Sequence, residues 1–301
     1  MSTPSNVAAF PVDPQPVAPP LSEPRPLYWL VRRELWENRS IYLAPLVLTA
    51  VFMFGFTIGT VTRPQRLASA SGTAVMPWSV LPAMLIAAAF MVGAFYCLDA
   101  LQSERRDRSI LFWKSLPVSD RDTVLSKASI PLLVLPAIVF TITVIVQILM
   151  LLLSSAVVLA TGSSAAALWA KLPLFRMTIG LVYSLIAVAL WHAPVYAWLL
   201  LVSGWARRVV VLWAVLPLLA VAAFERMAFG TKYVIAFLGY RITGWWQSGF
   251  TFPNKDRISI DPLTHLTPGR YLSTPGLWLG LVCAAVFLAA AVRLRRRQEA
   301  F

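Results

Sequence analysis

Six stretches of this chain, roughly 41–61, 79–98, 131–153, 177–203, 209–224 and 276–292, are long and almost purely apolar. A bilayer core about 30 Å thick takes about 20 residues of helix to cross, and the fifth run is the shortest of the six. Hydrocarbon offers backbone amides no partner, so only helices and closed barrels span it. None of the runs shows the ten-residue alternation of a barrel strand. The expected fold is therefore an all-α integral membrane protein with six transmembrane helices.

Composition agrees, at 58% hydrophobic and 13% charged residues with a mean hydropathy of +0.71. Soluble domains sit near half apolar and a quarter charged. A net charge of +13 would suggest nucleic acid in a soluble chain, but here its placement is a topology signal and no nucleic-acid partner is expected. Sixteen of the 26 Lys and Arg residues fall on one side: Arg25, Arg32, Arg33 and Arg39; Arg105, Arg106, Arg108, Lys114, Arg121 and Lys127; Arg207 and Arg208; and Arg293, Arg295, Arg296 and Arg297. The short loops of the opposite side carry Arg63, Arg66, Lys171 and Arg176. Basic residues mark the cytoplasmic face, which puts both termini in the cytoplasm of a bacterial inner (plasma) membrane.

Residues 1–26 hold eight of the 22 prolines and no apolar run. They read as a disordered, Pro-rich cytoplasmic tail rather than a cleavable signal, leaving 27–301 as the transmembrane domain. Leu27, Leu30, Val31 and Leu35 share a face of a helix that would lie along the membrane, with Trp29, Trp36 and arginines around it; Glu34 and Asn38 interrupt that face. The outer segment 225–275 is too long for a plain connection. Its pieces "YVIAFLGY" and "GWWQSGF" are too short to cross, and Tyr240, Trp245 and Trp246 suit the headgroup level. Short outer-leaflet helices are expected there, with a Glu225–Arg226 pair at the end of the fifth span.

Within the spans, Cys97 and Cys283 read as buried small hydrophobes without a disulfide. Gln147 and His192 are the clearest polar groups: they are interhelical hydrogen bonders or candidates to line a substrate path. Asp99 marks the inner end of the second span. Gly55 and Gly59, like Gly276 and Gly280, have the spacing that lets helices approach closely. Packing within the chain and, for Gly55 and Gly59, a homodimer seam both fit.

The loop between the second and third spans, "SERRDRSILFWKSLPVSDRDTVLSK", is unlike a plain connector. The second span should continue as a helix through Glu104 until Pro117 ends it. Ser119 followed by Asp122 is a capping signal for a new helix at 120–129. The elbow between them carries Ile110, Leu111, Phe112 and Trp113 ringed by charge, an apolar anchor with a polar rim.

This loop resembles the one between the second and third membrane helices of ABC-2-type transporter permeases. Glu104, Pro117-Val118-Ser119 and Lys127 stand at the corresponding points, and with the six spans and the outer segment the similarity covers about residues 27–301. The resemblance implies that the loop is a coupling helix, with Glu104, Arg105, Arg106, Asp107, Arg108, Ile110, Leu111, Phe112 and Trp113 against a separate ABC ATPase subunit. It implies a second permease copy as well, and ATP and Mg bound by the partner subunit. This chain has no G-x-x-x-x-G-K-[ST] loop and is expected to hold no catalytic residue, metal or cofactor of its own. An apolar conduit would suit export of an amphipathic or lipid-like substrate, with membrane lipids as neighbours. The alternatives are an integral-membrane lipid-modifying enzyme and a non-transporting scaffold or immunity protein.

Overall fold

A computed structural model of the chain describes residues 26–63, 76–106, 119–162, 164–206, 208–251 and 262–297. Helix α1 (Pro26–Glu37) leads into α2 (Ser40–Thr62), and α3 (Met76–Ala100) continues into the short α4 (Gln102–Arg106). Helix α5 (Asp120–Ser129) runs through a widened turn, Ile130–Val134, into α6 (Leu135–Ala160). Helix α7 (Ala166–Lys171) precedes the long α8 (Leu174–Trp205), followed by α9 (Val210–Phe229) and α10 (Tyr233–Gly249). A tight turn at Pro262–His265, α11 (Pro268–Ser273) and α12 (Pro275–Arg297) complete the order. Among the described residues six helices are long and apolar enough to cross a membrane, and there is no strand. The protein is an all-α, multi-pass membrane protein.

Local chemistry accounts for the breaks. Ser119 caps α5 by accepting the Asp122 amide at 3.1 Å while its hydroxyl donates to the Asp122 carboxylate at 2.7 Å. At Pro131, which has no amide to donate, the helix widens and the Leu135 amide reaches back to the Ile130 carbonyl. The helix therefore bends but does not end, and α5 and α6 form one continuous rod. Helix α3 breaks at Leu101, where the Leu101 and Gln102 amides instead donate to Ser203 Oγ on α8, at 3.0 and 3.1 Å.

Helix α8 is the spine. Two-thirds of its apolar window, 67%, is buried inside the protein, against 17% for α2 and α9. On one half it packs Leu181 and Leu185 against Trp78 and Leu85 of α3 and Met150 of α6. On the other, Tyr196 and Leu200 meet Ile41, Cys97 and Ile130. Cys97 is buried as expected, whereas Cys283 faces outward from α12; both are free thiols.

The segment after α9 forms helices, as anticipated, but by a different device. Glu225 and Arg226 do not bond each other. The Glu225 carboxylate accepts the Tyr233 and Val234 amides at 2.6 and 2.8 Å and the Thr231 hydroxyl, supplying the first turn of α10 with acceptors its own backbone lacks. Arg226 donates to the Gly230 carbonyl, and Gly230 reverses the chain in the left-handed region (φ 68°) that glycine enters freely.

Helix α10 then docks on α8 and α12. Trp191 of α8 is fully enclosed, donates through Nε1 to the Arg241 carbonyl at 3.1 Å and meets Tyr240 edge-on. Tyr271 of α11 donates to the Ala187 carbonyl at 2.7 Å. Burial pushes the Tyr271 phenol up from its ordinary pKa and pulls the Arg241 guanidinium down.

The two glycine pairs behave differently. A Cβ on Gly55 or Gly59 would meet nothing, so that face of α2 is not packed against any of the described residues. Gly276 and Gly280 do not bring two spans together. They seat the Tyr240 and Arg241 side chains of α10.

Gly244 has the same duty toward Trp191, whose Cζ2 would lie 2.6 Å from an added Cβ. The enclosed indole has no room to retreat, so Gly244→Ala should destabilise the purified protein by about 1–3 kcal/mol. Gly239→Ala, on the same helix but facing open space, should be neutral or slightly stabilising; thermal unfolding of the two variants side by side checks the contrast.

Candidate functional site

Helix α1, the end of the α3–α4 span, α5 and the last turns of α12 converge at one end of the bundle, and each brings a charge. Glu34 is on the face of α1 that carries Leu30, Val31 and Leu35, which pack inward. Its carboxylate accepts the Tyr96 hydroxyl of α3 at 2.7 Å and Lys127 Nζ of α5 at 2.8 Å. Lys127 Nζ is also 3.1 Å from a carboxylate oxygen of Glu104, at the end of the second span. The other Glu104 oxygen accepts Arg295 Nη1 of α12 at 2.6 Å, and Arg295 Nε donates to Asp120 of α5 at 2.8 Å. Asn38 holds the outer edge of Glu34 at 3.4 Å.

Burial makes these contacts matter. Glu34, Glu104 and Lys127 are between 2% and 4% exposed and Arg295 is 6% exposed. A lone ion at such depth costs several kcal/mol, and only a well-formed set of partners offsets that. Lys127 and Arg295 balance Glu34 and Glu104, while Asp120 sits at the rim in the first turn of α5, where the helix dipole favours an acid. Tyr96 can donate to a carboxylate and takes up a lone pair that no cation reaches.

The geometry closes a neck. Arg295 joins Glu104 to Asp120, and Lys127 joins Glu104 to Glu34. The chain leaves this neck after α4 and re-enters at α5, so both ends of the 107–118 elbow are fixed to one point. Asp107, Arg108, Ile110, Leu111, Phe112 and Trp113 lie outside the described residues, as do the side chains of Arg105 and Arg106. Of the expected coupling residues, Glu104 alone is placed with its side chain, and it is the junction of the network.

The polar residues expected within the spans are both bonded between helices. Gln147 of α6 donates to the Trp78 carbonyl of α3 at 3.4 Å. His192 of α8 sets Nε2 3.2 Å from the Ile242 carbonyl of α10 and Nδ1 2.9 Å from the Val188 carbonyl of its own helix. Both are buried. Asp99 is exposed at the end of α3. Among the described residues no group of His, Cys, Asp and Glu is arranged to hold a metal ion.

Glu34, Tyr96, Asp120 and Arg295 were not singled out by sequence reasoning as site residues. Glu34 carried a signal, since an acid on the packed face of an amphipathic helix is costly unless paired. Arg295 carried none that separated it from Arg293, Arg296 and Arg297.

No family model, curated protein or solved structure matches this chain. What the fold and the site define is a class: a six-helix membrane protein whose terminal helices are clamped by buried ion pairs to the ends of the segment between the second and third spans.

Lys127→Met should leave two buried carboxylates without their shared cation and cost about 3–5 kcal/mol. Glu37→Ala, which removes the half-exposed partner of Arg33 on α1, should cost about 0.5 kcal/mol or less. Equilibrium unfolding in detergent would separate the two values.

Proposed function

We propose that the protein is the membrane-spanning permease subunit of an ATP-driven transporter of the ABC-2 type, gripped by a separate ATPase through the 103–127 segment and exporting an amphipathic or lipid-like substrate. The observation that carries this reading is the buried network. Glu104 and Lys127, two of the positions at which the loop resembles that family, are bonded to each other and clamped to α1 and α12 by Glu34 and Arg295. A motor can move membrane helices only through a point that does not yield. Here a push on the elbow reaches α1, the α3–α4 span, the α5–α6 rod and α12 together.

The reading supplies a role for the uneven charge as well. Its basic face is the cytoplasmic one, where an ATPase would be, and the apolar run Ile110-Leu111-Phe112-Trp113 belongs by sequence to the segment on that face. The ATPase binds ATP and Mg; this chain binds and moves. A second copy completes the conduit, and the unpacked face of α2 around Gly55 and Gly59 is the seam assigned to it. Gln147 and His192, bonded between helices, are offered only as path-lining groups that would have to exchange partners during transport.

Co-purification tests the proposal. The wild-type chain should retain an ATPase subunit carrying a phosphate-binding loop. Phe112→Asp with Trp113→Asp should release it, with a loss of about 100-fold or more in affinity, as expected when two apolar anchors are removed from an interface. Arg295→Gln should leave the ATPase bound but reduce substrate-stimulated hydrolysis. A chain that performs its function with no such subunit present defeats the reading.

A further inference from the structure

At the end of the bundle opposite the ion-pair network, Arg241 is buried. It is 9% exposed, yet no carboxylate among the described residues pairs with it. Nη1 donates to the Gly276 carbonyl at 2.9 Å, and the guanidinium lies over the Trp191 ring at 5.2 Å. Nη2 has no acceptor among the described residues. A carbonyl and a ring face each stabilise a cation only modestly, so the charge is left short of the anion that its burial calls for.

The surroundings are shaped around this side chain. Gly280 lies where any Cβ would overlap the guanidinium, and at Gly276 a Cβ would crowd the Tyr240 hydroxyl at 2.7 Å. On the α12 side the fork thus faces the backbone of Gly280, with no side chain at that position. Exposed apolar groups flank the place, Phe237 on α10 and Trp278 and Leu279 on α12. Trp245 and Trp246 stand one turn further along α10. Glu225, the nearest acid in sequence among the described residues, is engaged with the α10 amides.

We propose that Arg241 is an anion-binding residue and that its ligand is the phosphate of an anionic phospholipid, whose charge no headgroup cation already neutralises, seated between α10 and the first turns of α12. The planar fork suits two phosphate oxygens. Aromatic residues hold the headgroup level, and the apolar flanks of α10 and α12 accept the acyl chains. This site does not depend on a motor subunit: it would bind lipid whether or not the permease reading holds.

The test uses the purified full chain in nanodiscs of phosphatidylcholine with and without phosphatidylglycerol, with retained lipid counted by native mass spectrometry. Wild type should retain phosphatidylglycerol over phosphatidylcholine by about tenfold, and millimolar inorganic phosphate should not displace it. Arg241→Gln should abolish the preference, while Arg270→Gln, which removes an exposed charge on α11, should keep it. Equal retention by Arg241→Gln overturns the proposal. So does displacement by inorganic phosphate, which would make the site one for a free anion. Asp256 and Asp261 test for an internal counterion: if Asp256→Asn or Asp261→Asn lowers the melting temperature as Arg241→Gln does, the lipid is not the partner. Should Arg241→Gln not fold, wild type alone decides. Its melting temperature should rise with the phosphatidylglycerol fraction, and no rise refutes the site.

Discussion

Glu34, Glu104, Lys127 and Arg295 leave water together or not at all. Each would be costly to bury alone, and each is rendered tolerable by the next: the lysine between Glu34 and Glu104, the arginine between Glu104 and Asp120. That mutual dependence fixes the register of four elements that lipid could not fix. Apolar side chains are equally content against hydrocarbon or against one another, so hydrophobicity does not determine where α1 lies or how α12 is rotated at this end. Charge does. A one-residue slip of α12 would carry Arg295 about 100° around its axis and away from both of its acids.

The two ends of the bundle are held by different chemistry. One is charged, paired and drawn from four elements. The other is aromatic: Trp191, Tyr240 and Tyr271 lock α10 and α11 onto the spine helix, with Gly244 and Gly276 cut back to admit the rings. Glu225 ties α9 to α10 by capping, so the chain after the fifth span is fixed at its start by a carboxylate and along its length by rings. Trp191 belongs to the helix with the most buried surface, and through it the docking of α10 is referred to the same α8 that carries Ser203, the anchor of the α3–α4 break.

How much of this was readable in the sequence follows from the range of each interaction. The six spans were legible because a run of apolar residues is a local fact and the bilayer imposes its length. So was the start of α5, since Ser119 and Asp122 act on each other across a single turn. The network was not. Glu34 is 93 residues from Lys127, and Arg295 is 191 from Glu104. Taken alone, Glu34 looked like a flaw in an amphipathic face when it is the reason that face holds. Gly276 and Gly280 were legible as small but not as seats, because what fills the space comes from α10. Glu225 and Arg226, adjacent and of opposite sign, suggested a pair; on a helix neighbouring residues point in different directions, and each found a backbone partner instead.

The permease reading and the lipid site make different demands on this architecture, and both draw on the same asymmetry. A clamp of buried ions is stiff, because no member can shift without stranding its neighbour in a dry environment. An arginine held by one carbonyl and a ring face is compliant, since it surrenders little when it turns. If force enters at the neck, the charged end moves as one body, and any change of shape must be taken up where the bonds are cheaper to exchange: along α10, at the His192–Ile242 contact, and around Arg241. That is where an amphipathic molecule would find an opening between helices. The sequence has placed there a cation with a donor unfilled among the described residues, a glycine that leaves it room, and aromatic rings that tolerate both water and hydrocarbon.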